Sequence, residues 1–249
     1  MKRYKLIFLG IVQLFVSCNE SDESNCVQFL PEPTDRYEFP IKPGSEEWIG
    51  YSAQQQIDAL QIPIEILENM STKGMVETCM AYPLFSTMSA FDSPQKGLER
   101  QIGNFNGLQF LERRNDASRM LSIRFSRMGL DCPPEDILEK GLYGLDLIHI
   151  TMLLAQPVYI DKLDSSGKRQ LLEEAMKKYE GYLLDLESWG VYLASVDAVL
   201  ISRIMIQDGY EPFLMEVQNN QALADFIDTA NLGKNLELLN KIIEYANNY

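Results

Sequence analysis

His149 is the single histidine of the chain, and it stands in the apolar segment LDLIHITMLL with Asp146 one turn before it. A second apolar segment, VYLASVDAVLISRIMI, carries Asp197 and Arg203. If the two segments pack together, Asp146 or Asp197 can pair with Arg203 and the remaining acid can meet His149. Charges taken out of water need partners, because a lone one is costly. The four residues can therefore form a buried polar network that sets the register of two central helices. They can also form a perturbed acid and base in a cleft, as active sites often have. A third placement leaves them at helix ends in water. The structural network is the reading adopted.

Other chemistries find less to work with. A Ser, His, Asp triad would have to use His149, yet no serine stands in a Gly-x-Ser-x-Gly elbow. Cysteine nucleophiles need the same histidine, and Cys79 and Cys132 lack a local signature. Carboxylate pairs need no histidine, so glycan cleavage stays open as the alternative. LESWG, residues 186 to 190, faintly resembles the Glu-Ser pair of lysozyme-like transglycosylases, but their other motifs are not evident. The same residues read as a helix end at Ser188, Trp189 and Gly190. No phosphate-binding glycine loop or calcium loop occurs, and DSSGK at 164 to 168 reads as a loop and helix cap. Besides Cys18, the cysteines are Cys26, Cys79 and Cys132, without paired spacing or nearby histidines, so no metal or cofactor is expected. A disulfide between Cys79 and Cys132 cannot be deduced, and buried free thiols are preferred.

The elements that must hold these residues are helical. KRQLLEEAMKKYEGYLLDLE repeats its apolar residues at helical spacing, with Glu173 to Lys177 and Glu174 to Lys178 as favourably ordered pairs on a wet face. Ser165 or Ser166 can cap it. Residues 141 to 156 and 191 to 206 are apolar nearly all round and should form the two central helices. Pro63, Ser71 or Thr72, Ser93 with Pro94, Asp116, and Pro133 with Pro134 offer further starts. Alternating β-branched runs and hairpin dipeptides are missing. The expected class is all-α, about ten helices in a compact or solenoid-like array.

The amino end gives an address. After basic Lys2, Arg3 and Lys5, the apolar run from Leu6 to Val16 has the length of a signal-peptide core and is too short to span a bilayer. Leu14 to Cys18 resembles the lipobox of bacterial lipoproteins in a loose form. That resemblance implies cleavage before Cys18 and a diacylglycerol on its sulfur. Glu20, Asp22 and Glu23 follow, resembling the acidic export signal of Bacteroidota surface lipoproteins. Residues 1–17 are thus expected to be a signal, residues 18–50 an acidic, proline-containing tether, and residues 51–249 a single domain. Tyr37, Phe39 and Trp48, beside the tether, are candidates for exposed partner contacts.

The formal net charge is −14, and the charged residues lost with the signal, Lys2, Arg3 and Lys5, are all basic. Lys and Arg come at most two together, so nucleic-acid binding is rejected. QIPIEILENMSTKGMVETCMAYPLF and FNGLQFLERRNDA resemble a group of uncharacterised Bacteroides-type lipoproteins. The resemblance implies a helical, exported protein and supplies no activity. The expected function is that of an outer-membrane lipoprotein, exposed at the surface or, alternatively, facing the periplasm. It would bind another envelope protein or an extracellular ligand.

Overall fold

The structure is a computed structural model that describes Phe29 and residues 34–249. The expected signal, Cys18, Cys26 and the acidic part of the tether lie outside the described residues. Among the described residues there are fourteen α-helices, one 3-10 helix and no strand, so the chain is all-α. The number exceeds the expected ten because short helices occupy stretches with too few residues to show a period.

The first helices are α1 (Glu46–Ile49), α2 (Ala53–Ala59), α3 (Ile64–Asn69) and α4 (Thr72–Met80). Ser45, Ser52 and Ser71 each accept a backbone amide at the start of α1, α2 and α4, satisfying donors that a helix end leaves open. A 3-10 helix, Phe85–Ala90, leads to α5 (Pro94–Asn104), α6 (Asn106–Arg113) and α7 (Ala117–Arg127). Ser93 and Pro94 open α5 as expected. Asp116 does not cap α7; its carboxylate instead accepts the Thr72 hydroxyl at 2.7 Å, joining the start of α7 to that of α4.

Three long helices form the centre: α8 (Ile137–Leu154), then, after the short α9 (Pro157–Ile160), α10 (Ser165–Leu184) and α11 (Leu186–Gln207). The caps of α8 and α10 are Asp136 and Asp164, not the neighbouring prolines or serines, since a carboxylate is the stronger acceptor at the positive end of a helix. Asp185 ends α10 and caps α11, whose Ser188 amide it accepts at 3.1 Å. Gly190 then breaks α11 with φ of 72°, a conformation that glycine adopts without a Cβ clash. The helix end read at 188 to 190 is this break. α10 and α11 thus form an antiparallel hairpin.

α8 runs parallel to α11. Lys140 reaches over the Trp189 ring at one end, and Arg203 donates to the Ala155 carbonyl at the other. The chain finishes with α12 (Glu211–Asn219), α13 (Gln221–Thr229) and α14 (Glu237–Ala246), which cover the far side of α11. α11 is buried from Leu193 to Met205, while α8 is buried only in its second half. α11 is long and apolar enough to cross a membrane, but 72% of its most apolar window is buried inside the domain, as in a central core helix. One hydrophobic cluster runs from Phe39 to Ala246. Each fully buried Leu or Phe in it stabilises the fold by about 1.5–3 kcal/mol.

Ordered packing reaches back into the segment read as tether. Asp35 accepts the amide and hydroxyl of Ser71, the Tyr37 amide donates to Thr78 Oγ1, and Phe39 and Trp48 are buried. Phe39 and Trp48 are therefore core residues and not exposed contacts, because aromatic rings in a proline-containing segment still gain most by leaving water. Of the two thiols expected to be free and buried, one is so. Cys79 is free and buried, but Cys132 is disulfide-bonded, so the two are not joined to each other.

Candidate functional site

The first half of α8 borders an open groove of about 520 Å³. Its opposite wall is made by Met80 and Tyr82 at the end of α4 and by Phe85 and Ser86 of the 3-10 helix. α8 contributes Glu139, Leu142, Tyr143, Leu145, Asp146 and His149, and Phe29 lies at one edge. Residues four and three apart on α8 point the same way, which is why Leu142, Asp146 and His149 share this face.

Two of the four residues singled out in the sequence meet here. The His149 ring stacks on Phe85 with centroids 4.2 Å apart and 12° between planes. Its Nδ1 is buried without a partner, and burial, with a smaller push from Arg124, lowers its pKa to about 4. The imidazole is therefore neutral near pH 7. Asp146 accepts from Arg124 Nη2 at 3.2 Å; partial burial raises its pKa, outweighing the pull of Arg124. No hydrogen bond links Ser86, His149 and Asp146, so the groove holds no nucleophile relay.

The other two lie elsewhere. Asp197 is fully enclosed between α8, α10 and α11, and neither carboxylate oxygen has a hydrogen-bond partner. Burial drives its pKa upward against the attraction of Lys178. The nearby Tyr182 hydroxyl is likewise unpartnered, and Thr151 Oγ1 stands close enough to pull weakly on the carboxylate without forming a well-aligned hydrogen bond. Arg203 pairs with neither acid. It donates to the Ile227, Asp228 and Ala155 carbonyls and to Gln95 Oε1, capping the carboxyl ends of α13 and α8. The quartet is thus three separate arrangements. Orphan carbonyls at two helix ends form a better fork for a guanidinium than a carboxylate six residues earlier on its own helix, which points to another face.

The organising charge is Arg124, which the sequence reading did not single out. It is 5% exposed and binds Glu77 of α4 through Nε, Asp146 of α8 through Nη2 and the Met128 sulfur through Nη1, with its guanidinium 5.1 Å from the Phe29 ring. The signal was present: Ala117, Leu121, Phe125 and Met128 make an apolar stripe on α7, and Arg124 interrupts it. Lys178 does the same on α10, between Leu171, Ala175, Tyr179 and Tyr182. It pairs with Glu174 at 2.9 Å as its spacing predicts, but Lys178 is only 3% exposed and Glu174 23%, so the lysine end of the pair is buried and not on a wet face. Lys178 also donates to the Met128 carbonyl.

Glu187 of LESWG is exposed on the first turn of α11. Among the described residues, no three His, Cys, Asp or Glu side chains converge to hold a metal ion. The chain matches no protein-family model, no curated protein and no solved structure.

Proposed function

We propose that the chain is a lipid-anchored protein of the cell envelope that binds another envelope protein or an external ligand in the groove along α8. The observation that carries the binding reading is the composition of that groove. Its walls are largely aromatic and aliphatic, its inner acid Asp146 is already held by Arg124, its second acid Glu139 is exposed to water, and its imidazole is neutral, which suits recognition by burial of apolar surface. Glycan cleavage gains little from the geometry, since Glu187 stands on an exposed first turn and, of the two carboxylates lining the groove, Asp146 faces a guanidinium and Glu139 is exposed to water.

The address rests on the residues from Leu14 to Cys18 and on the acidic run after them, and the resemblance to Bacteroides-type lipoproteins agrees with it. The bonded state of Cys132 is in keeping with an oxidising compartment. Outer-membrane attachment with the domain facing outward is the placement proposed; protease shaving of intact cells removes the protein in that case and spares it if it faces the periplasm.

The binding reading is tested with a photo-crosslinking amino acid at Ser86, on the groove wall, in intact cells. A discrete adduct that disappears when Tyr143→Arg blocks the groove is expected. Labelling no stronger than from Met215, an exposed position on α12, would remove the groove as the binding site.

A further inference from the structure

One end of the molecule exposes several large apolar side chains, set among carboxylates, to water. Because α8 and α11 run parallel and α10 returns against them, the first turns of α8 and α11 lie beside the last turn of α10. Lys140 stands 5.2 Å from the Trp189 ring, and Gly144 faces Leu193. Around these contacts Ile137 is 87%, Leu138 69% and Leu184 90% exposed, with Leu186 close to half. An apolar cluster of this kind at one end of a domain marks a contact surface.

The amino-terminal chain arrives at the same end. Phe29 packs against Tyr143 with ring centroids 6.2 Å apart. Cys132, on the loop that leads into α8, is disulfide-bonded, and Cys79 is a free thiol, which leaves Cys18 and Cys26 as partners. If the sulfur of Cys18 carries lipid as a thioether, the bond falls to Cys26. The eight peptide steps from Cys18 to Cys26 reach at most about 30 Å when fully extended, so the anchor cannot stray far from this end.

We infer that Ile137, Leu138, Leu184 and Leu186 seat on the lipid surface that holds the anchor, and that a Cys26–Cys132 disulfide keeps this end turned toward it. The inference rests on the lipid-anchor reading of Cys18. Forming the bond takes one proton and one electron from each thiol; a protein disulfide of the oxidising compartment accepts them and becomes a dithiol. Glu135, Asp136, Glu139, Asp185 and Glu187 are exposed among the apolar residues; Asp136 and Asp185 accept amides at helix starts, and Glu139 and Glu187 lie in the first turns of α8 and α11, where the helix dipole offsets their charge. The two attachments reinforce each other, since the anchor raises the local concentration of lipid at the patch. The groove along α8 then opens beside the membrane.

The test uses the lipidated full chain in phosphatidylethanolamine vesicles with brominated acyl chains. A fluorescent label is placed at Leu138→Cys or Leu184→Cys, with Met215→Cys on the opposite end as control. Quenching at 138 and 184 at least about twofold above that at 215 is expected, and Cys132→Ser should reduce it while the protein still floats with the vesicles. Equal quenching at all three positions in vesicle-bound protein overturns the seating. Cross-linking of position 138 to its counterpart in a second molecule, without quenching, also overturns it and gives the face to self-association. A chain that does not float with vesicles overturns the anchor reading itself, and the seating with it.

Discussion

Arg124 Nε lies 3.1 Å from Glu77 Oε1, with 5% and 9% of the two side chains exposed. This contact joins α7 to α4 beneath the groove, and the same guanidinium turns to Asp146 on α8. Three helices are thus pinned by one charge. Taking both ions out of water is costly, so the pair is better regarded as a device that fixes helix register than as a source of net stability.

Removing one partner should therefore hurt more than removing both. Arg124→Met leaves Glu77 buried and unpaired and is expected to cost about 3–5 kcal/mol. Adding Glu77→Leu to it should restore much of that loss. Urea unfolding of the single and double variants checks this. Equal losses in the two would mean that Glu77 is hydrated and not held by Arg124.

His149 sets an acid limit. Its pKa falls from 6.5 to about 4 on folding, so the unfolded chain binds more protons between those values. Stability is then present above pH 6.5 and is lost as pH falls toward 4, on the order of 3 kcal/mol for this one group. His149→Phe keeps the stack on Phe85 and has no proton to bind. Its unfolding free energy should change less between pH 7 and pH 4 than that of the parent, and parallel curves would show that the ring is hydrated.

Asp197 acts with the opposite sign. Burial raises its pKa, so the folded state holds a proton that the unfolded state releases above 3.8. Its contribution is fully present below that value and declines as pH rises through the folded pKa. Asp197→Asn should match the parent in thermal stability near pH 4 and exceed it at pH 9. An unchanged difference between the two pH values would mean that Lys178 and Asp197 form a complete ion pair.

The helical class and the buried span of α11 were readable because periodicity and burial are local consequences of the same apolar pattern. Partnering was not. Arg203 was expected to neutralise an acid, but it caps the carbonyls of Ile227 and Asp228, on a helix remote in sequence. Whether a guanidinium meets a carboxylate or a helix end depends on how helices cross, and helical spacing carries no such information. Arg124 and Lys178 were visible as charges on apolar stripes, yet the expectation that paired charges lie on wet faces hid them. The exposed start of α8 was missed for a related reason: an all-round apolar segment is buried only where other helices cover it.

The closest approach of a glycine to neighbouring backbone provides a last test. A Cβ on Gly97 of α5 would fall 2.0 Å from the Met88 carbonyl oxygen and 2.7 Å from its carbon, so the 3-10 helix that walls the groove rests directly on this glycine. Backbone cannot swing aside as a side-chain tip can, and Gly97→Ala should cost about 1–3 kcal/mol through forced separation of α5 from Phe85–Ala90. Gly103, on the same helix, has nothing within 4 Å of its would-be Cβ. There the same substitution should stabilise by about 0.5–1 kcal/mol, because alanine has less freedom to lose on entering a helix. Opposite signs in thermal melts are the expected result. A neutral Gly97→Ala would mean that the 3-10 helix shifts freely, and the stack of Phe85 on His149 would then no longer define a fixed groove wall.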